Sequence, residues 1–574
     1  MRIKERSRQH AHSVALRCGM VAFACVAFGQ VSAWADCTTD SVNALHVANM
    51  SIASATLVPA APPNPEFCDV KGTVTTTGEG AGDGSANFEV MLPARWNQKF
   101  IFHGVGGLAG TMTSSANPAD QQLFLPRGYA TAITDTGHLV ANPTWEYTAP
   151  GAPDMPKVID YYYRAVHEVT LAAKMLVKSY YRAETIRRSY FDGCSNGGKM
   201  GMMEAGRYPA DYDGIISGSP WLDPVGTSLW SVKNIKALLD AYIPVAKFQA
   251  VSAAILKQCD KLDGVADGLI QNPAKCAFQP DALVPEALTQ KQADALKMIM
   301  NPVRDEQGKI IFPGASVGNL GQDNITVRGA TNYLDAPPAD PGAAKPWGDG
   351  TLPANWSLAQ NILMKLGYYD AGKDMNNEIE SNGVVKTDAL NLVYTRMADD
   401  IPNDPSKLSA YFSKGGKLLI YHGFDDLIIS PYSSIWFYED LAQENGGYPK
   451  LQQSARLFMV PGMQHCVLGA GPNSFDTLTA MEQWVEKGIA PDAIPATHLA
   501  NNVPDRTMPL CKFPEQAHYK GSGDPKSVGN WSCPQNDKSL LTVGPNGIQA
   551  GVNAAPGARV RPVANTTAKS GNGI

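Results

Sequence analysis

No apolar run in the 574 residues reaches the roughly 18–20 needed for a membrane-spanning helix, so an integral membrane protein is not the expected class. Lysine and arginine form no long run beyond the first few residues, and the net charge is −6. Neither nucleic acid nor an anionic membrane surface is therefore the expected partner. Charged residues make up only 18 % against 44 % hydrophobic, which excludes a disordered or fibrous chain. No internal repeat is present. At roughly 150 residues per domain the length allows three or four units, or one large α/β domain with an insertion.

Residues 1–35 read as an export signal. Arg2, Lys4, Arg6 and Arg8 form the basic start, an apolar stretch runs from about Gly19 to Phe28, and Ala33-Trp34-Ala35 is an A-x-A cleavage site. Its removal takes away five basic groups and one acid, moving the net charge from −6 to −10. The expected location is secreted or periplasmic. Cys18 and Cys25 leave with the signal, and Cys37, Cys68, Cys194, Cys259, Cys276, Cys466, Cys511 and Cys533 remain. An even count in an oxidising compartment predicts four disulfides, although eight cysteines allow roughly a hundred pairings. Nearest neighbours suggest 37–68, 259–276 and 511–533. Cys194 is then left with Cys466.

Short apolar segments recur before glycine-rich or polar turns: Lys99–His103, Tyr129–Thr134, Ser189–Asp192, Asp213–Ser217, Lys417–Tyr421 and Arg456–Val460. Such runs suit covered parallel strands. Helical patterns lie between them, as at Val158–Tyr181 and Gly197–Tyr208, and the alternation predicts an α/β fold. From Trp221 to Pro405 the rhythm breaks, with a proline-rich run at Asp335–Gly342, scattered tryptophans and few clean strands. The expected layout is a catalytic domain over 36–220 and 406–545 with a lid domain inserted over 221–405. Residues 546–574 form a Gly/Ala/Asn/Pro-rich tail with little expected order.

The sharpest motif is Gly193-Cys194-Ser195-Asn196-Gly197, a G-x-S-x-G between a strand and a helical pattern. Such a turn lifts a serine Oγ off the sheet, and the helix N-terminus with the following N–H favours a developing oxyanion. A second match, Gly314-Ala315-Ser316-Val317-Gly318, follows Pro313 and starts no helix, so Ser195 is the candidate nucleophile. Histidine is scarce, with only His422, His465, His498 and His518 after Ser195. The order Ser, acid, His selects His465, which follows a strand, with Asp425 or Asp426 of the preceding strand end as the acid. His422 precedes both acids.

The leftover cysteine pair supplies a geometric constraint. A disulfide holds two Cα atoms about 5.5–6 Å apart, and each neighbouring Cα lies about 3.8 Å further on. If Cys194 pairs with Cys466, Ser195 and His465 lie within roughly 13 Å at Cα, which suits a Ser–His hydrogen bond.

Gly193–Gly198, the acid after Tyr421-His422-Gly423, and Pro461-Gly462-Met463-Gln464-His465-Cys466 resemble the tannase and feruloyl esterase family from about Cys37 to Cys533. The resemblance implies an α/β-hydrolase fold with a large inserted lid. It implies Ser195 as nucleophile, His465 as base and acid, and Asp426 rather than Asp425 as the triad acid. Gly107, the last glycine of Gly104-Val105-Gly106-Gly107, and Asn196 would supply the oxyanion N–H groups.

Cys259–Leu269 holds three carboxylates within eight residues, with glycines for tight turns, and these suit a hard cation. It does not have EF-hand spacing. The resemblance implies structural calcium held by the side chains of Asp260, Asp263 and Asp267 and the carbonyls of Val265 and Leu269. The expected partner is a small aromatic ester derived from plant polymers, with feruloyl-type esters ahead of galloyl ones. A terephthalate monoester ranks lower, because the family member with that activity carries phenylalanine where this sequence has Ile429. Trp347, Trp356, Tyr368 and Tyr369 are candidate aromatic walls, or else lid core. Other readings are a peptidase and a secreted calcium-stabilised binding module without catalysis; the complete Ser195, Asp426 and His465 set argues against the latter.

Overall fold

The computed structural model describes residues 35–112, 120–320, 326–327, 330–331, 333–334, 336–338, 352–373 and 383–536. The export signal apart from Ala35, most of the proline-rich run, Trp347 and the C-terminal tail lie outside the described residues.

Among the described residues, nine strands form the main sheet. They are β1 (Met50–Val58), β2 (Phe67–Thr76), β3 (Gly84–Pro93), β4 (Lys99–Gly104), β5 (Ala130–Thr134), β6 (Arg188–Cys194), β7 (Gly214–Gly218), β8 (Lys417–Gly423) and β9 (Ala455–Val460). Their order is β1-β2-β3-β5-β4-β6-β7-β8-β9. Every pair from β5 across to β9 is parallel, and β1, β2 and β3 join through antiparallel pairs. All six expected strands are present, within a residue or two at most ends. β4, β5, β7 and β9 are buried along their whole length, as strands covered on both faces must be.

Alternate side chains enter opposite layers. Phe100, Phe102, Phe191, Ile215, Leu418 and Ile420 share one core. Ile101, Tyr190, Ile216 and Leu419 share the other. The first layer includes α1 (Ala165–Tyr181) and α2 (Asn196–Arg207). A turn of π-helix, Asp160–Arg164, joins α1 to a short helix from Met155, so the run expected from Val158 begins slightly earlier. Each large side chain so buried contributes roughly 1.5–3 kcal/mol, and a one-residue register slip would exchange the two layers.

The described residues between β7 and β8 are mainly helical, with α3 (Pro224–Asp240), α4 (Val245–Cys259) and α5 (Gln290–Met300). Val303–Asp305, Ile310–Phe312 and Val384–Val385 make a small separate sheet. α3 starts with Pro224 behind the Asp223 cap, whose carboxylate accepts from the Gly226 N–H at 2.9 Å. Past it, β8 leads into α6 (Pro431–Glu444), and α7 (Thr477–Lys487) covers β7 and β8 on the second layer. Among the described residues no single helix is long and apolar enough to cross a membrane. The disulfides are Cys37–Cys68, Cys194–Cys466, Cys259–Cys276 and Cys511–Cys533, the pairing expected from nearest neighbours.

Candidate active site

Ser195 sits between β6 and α2 with φ 65° and ψ −124°, a conformation non-glycine residues rarely adopt. Three backbone bonds hold it there. Its N–H donates to Gly218 O at 2.9 Å, and its carbonyl accepts from Lys199 at 2.9 Å and Trp221 at 3.1 Å. The flanking glycines are required by crowding. A Cβ on Gly193 would lie 2.6 Å from the Gly197 backbone, and one on Gly197 would lie 2.5 Å from Gly104 O. The turn is thus wedged against the end of β4, and backbone strain of about 1–3 kcal/mol is held in place by its surroundings.

Because Gly218 takes the Ser195 N–H, the next free donor is Asn196, the first residue of α2, where an amide has no intrahelical acceptor. The buried Asn196 side chain donates to Val105 O at 3.2 Å. This ties the start of α2 to the Gly104–Gly107 turn. Gly107 has φ 63° with open space where a Cβ would be, and it lines a small cavity with Ser195. Thr227, Ser228 and Ser231 of α3, together with Trp221, Leu358, Ile428 and Ile429, complete that lining.

Two further strand ends converge on the serine. β8 ends at Gly423, where a Cβ would lie 2.2 Å from Met463 O, so its turn presses directly on the turn after β9. Within this contact His465 Nδ1 lies 2.6 Å from Asp426 Oδ2. Cys466 is bonded to Cys194 with a Cα separation of 6.0 Å, which keeps His465 within the expected reach of Ser195. Both line an open groove on the other side of the serine, shared with Phe124, Tyr421 and Phe475. Asp425, the alternative acid, faces elsewhere: a Cβ on Gly318 would lie 1.9 Å from its Oδ1. The second G-x-S-x-G is packed beneath α6, where Ser430 Oγ donates to Gly314 O at 2.7 Å.

Asp426 is fully buried and has four donors. Oδ1 accepts from the N–H groups of Ile428 at 2.8 Å and Ile429 at 3.0 Å. Oδ2 accepts from His465 and also from His422 Nε2 at 3.0 Å. Burial alone would raise its pKa, but the charge of His465 and the hydrogen bonds from both imidazoles hold it well below the carboxylate range. Chain order set His422 aside as a candidate base. The signal that could have placed it beside the acid is its position at the end of β8, four residues before Asp426.

The candidate aromatic walls among the described residues lie elsewhere. Trp356 is buried in the core, and neither it nor Tyr368 nor Tyr369 lines the cavity beside Ser195. Among the described residues the aromatic one that does is Trp221, at the turn after β7.

In the 259–269 loop, Asp260 Oδ1 accepts from the N–H groups of Asp267 and Gly268, each at 3.1 Å. Asp267 Oδ2 pairs with Arg506 at 3.0 Å. Asp263 is buried, and its Oδ2 has no hydrogen-bond partner. Burial first, then the charges of Asp267 and Asp260, push its pKa up to about 7. Three carboxylates with one arginine between them and an orphaned oxygen make a donor set that fits a hard divalent cation.

The sheet order, the strand–serine–helix turn and the His–Asp pair on the last two parallel strand ends define an α/β-hydrolase. The chain belongs to the tannase and feruloyl esterase family, whose model matches residues 68–534, and it is a carboxylic ester hydrolase. It is 32 % identical over 547 residues to an uncharacterized esterase of Xanthomonas campestris pv. campestris, covering 85 % of this chain and 90 % of that one. It is 31 % identical over 529 residues to the mono(2-hydroxyethyl) terephthalate hydrolase of Piscinibacter sakaiensis, covering 82 % and 85 %. The feruloyl esterase B structure from Aspergillus oryzae shares the fold, with a TM-score of 0.72 at 24 % identity over 85 % of this chain and 97 % of that one.

Proposed function

We propose that this chain is an exported serine carboxylesterase acting on esters of hydroxylated aromatic acids, feruloyl-type esters first and galloyl esters next. The observation that carries the reading is the buried Asp426–His465 pair, tethered beside Ser195 by Cys194–Cys466. With Nδ1–H donated to Asp426, His465 Nε2 accepts the Ser195 proton as Oγ attacks the ester carbonyl. The N–H groups of Gly107 and Asn196 hold the tetrahedral oxyanion, each donor being worth about 2.7–4 kcal/mol. His465 passes its proton to the leaving alcohol. Water, deprotonated by His465, then releases the acid from the acyl-enzyme.

The segment over 221–405 acts as a lid whose α3 walls the small cavity beside Ser195; that cavity would widen to admit the acyl ring, with the alcohol toward the open groove. The cavity lining supports a hydroxylated ring. Thr227, Ser228 and Ser231 each donate their hydroxyl to a backbone carbonyl four residues back. Toward a ligand they offer lone pairs, which suit a phenolic O–H and not a carboxylate. Among the described residues no lysine or arginine lines the cavity to pair with a terephthalate carboxylate. The test is chromatographic hydrolysis of methyl ferulate, a gallate ester and mono(2-hydroxyethyl) terephthalate. The expected order of kcat/KM is as written; preference for the terephthalate ester would overturn the substrate assignment.

Asp260, Asp263 and Asp267, with the carbonyls of Val265 and Leu269, would hold calcium, which when bound neutralises the carboxylate cluster. The role is structural. At a hundredfold excess over Kd, binding stabilises by about 3 kcal/mol. EDTA is therefore expected to lower Tm by several degrees, and calcium to restore it. An unchanged Tm in EDTA-treated protein containing no bound calcium would contradict the assignment. Four disulfides support an oxidising compartment outside the cytosol.

A further inference from the structure

Asp426 Oδ2 faces two imidazoles, and only one of them belongs to the proposed triad. His465 Nδ1 approaches at 2.6 Å and His422 Nε2 at 3.0 Å. His422 is fully buried. Its Nε2 also lies 3.3 Å from Ile429 O, so both neighbours of that nitrogen are acceptors and Nε2 carries a hydrogen. Its Nδ1 lies 2.7 Å from Ser434 Oγ on α6 and takes the serine hydroxyl's hydrogen. This chain of bonds, Ser434 to His422 to Asp426, runs from a helix behind the sheet to the carboxylate that orients His465.

We propose that His422 is a positioning residue for ester hydrolysis: its Nε2–H, set by Ser434, holds Asp426 Oδ2 in place and limits the negative charge that oxygen presents to His465. The inference rests on the reading of Ser195, His465 and Asp426 as a triad. Two physical consequences follow. The carboxylate is fixed on both oxygens, so His465 is held in one orientation and the Ser195 proton has a single acceptor geometry. The charge of Oδ2 is also shared between two donors. Removing one leaves more charge facing His465, which stabilises the imidazolium and raises the pH at which the free base becomes available.

Among the described residues the groups facing this cluster come from a few elements. His422 comes from β8 and His465 from the turn after β9. From α6 comes Ser434; Tyr432 lies toward Ser316 and Asp425, and burial pushes its pKa above the ordinary range. Asp425 is turned toward Gly318. On the groove side His103 and Asp192 form their own pair at 3.5 Å.

The experiment compares wild type with His422→Leu, His422→Gln, Ser434→Ala and Ser195→Ala, using the full chain and an aromatic methyl ester. His422→Leu is expected to lower kcat by roughly ten- to a hundredfold, the loss of one hydrogen bond to a charged group. KM stays nearly constant, and the acid limb of the kcat/KM profile moves to higher pH. His422→Gln places an amide N–H near the lost Nε2–H and is expected to recover most of both. Ser434→Ala shifts both in the same direction by less, and is read alone should His422→Leu fail to fold. A folded His422→Leu enzyme with unchanged kcat and acid limb would overturn the inference. So would a loss of kcat with no pH shift and no rescue by glutamine, which marks a packing role only. Full activity in Ser195→Ala would instead overturn the triad itself.

Discussion

Replacing Ser195 with alanine is expected to lower kcat/KM for an aromatic ester by on the order of 10⁴-fold or more, with Tm unchanged. The size follows from its proposed place as the only covalent partner of the acyl group. Losing Oγ leaves ester binding and the N–H groups of Gly107 and Asn196, and residual rates from such a remnant are small. The unchanged Tm follows from the turn. What fixes Ser195 at φ 65° is backbone bonding to Gly218, Lys199 and Trp221 and the contact between Gly197 and Gly104, none of which uses Oγ. Steady-state kinetics and a thermal melt on the same preparation separate this outcome from misfolding.

Replacing both Cys194 and Cys466 with alanine is expected to damage stability and catalysis together. The crosslink joins residues 272 positions apart. Loop-closure arithmetic assigns it upwards of about 4 kcal/mol. Its ends adjoin Ser195 and His465, so releasing it frees the histidine turn to move relative to the serine turn. A displacement of about 1 Å costs roughly a hundredfold in kcat. Cys37–Cys68, which spans 31 positions near β1 and β2, supplies the control. Its removal is expected to lower the denaturant midpoint while leaving kcat within about twofold, since it lies far from the chemistry. Equal kcat in the two double mutants would remove the catalytic role assigned to Cys194–Cys466.

The parallel half of the sheet was legible because strands buried on both faces read as continuous apolar runs, as in Lys99–His103 and Arg456–Val460. β1, β2 and β3 were not. β1 is largely half-exposed, β2 alternates buried with exposed positions, and glycine, serine and asparagine dominate the first half of β3, leaving only the short apolar run Val90-Met91-Leu92 at its end. The serine turn and its histidine were legible through G-x-S-x-G and the neighbouring cysteines. The choice of Asp426 over Asp425 came from resemblance. In the fold it reflects direction, with one carboxylate turned to His465 and the other toward Gly318. His422 was missed because the order rule concerns only the base, and says nothing of a second imidazole on the same carboxylate. For Trp356, Tyr368 and Tyr369 the choice between cavity wall and lid core stays open in the sequence, because an aromatic residue in a helical segment signals burial without saying which cavity it borders. The fold makes Trp356 core. Trp221, outside the expected wall set, borders the cavity instead.

The central claim is that Ser195 forms the acyl-enzyme, and the most direct measurement is the site of covalent labelling by a fluorophosphonate. Wild type and Ser195→Ala would be treated under native conditions, digested and mapped by peptide mass spectrometry. The account predicts one stoichiometric adduct on the peptide containing Gly193-Cys194-Ser195-Asn196-Gly197, loss of esterase activity in step with its formation, and no adduct in the variant. An adduct on Ser316 or elsewhere that abolishes activity, or folded and active enzyme that remains unlabelled, would contradict it.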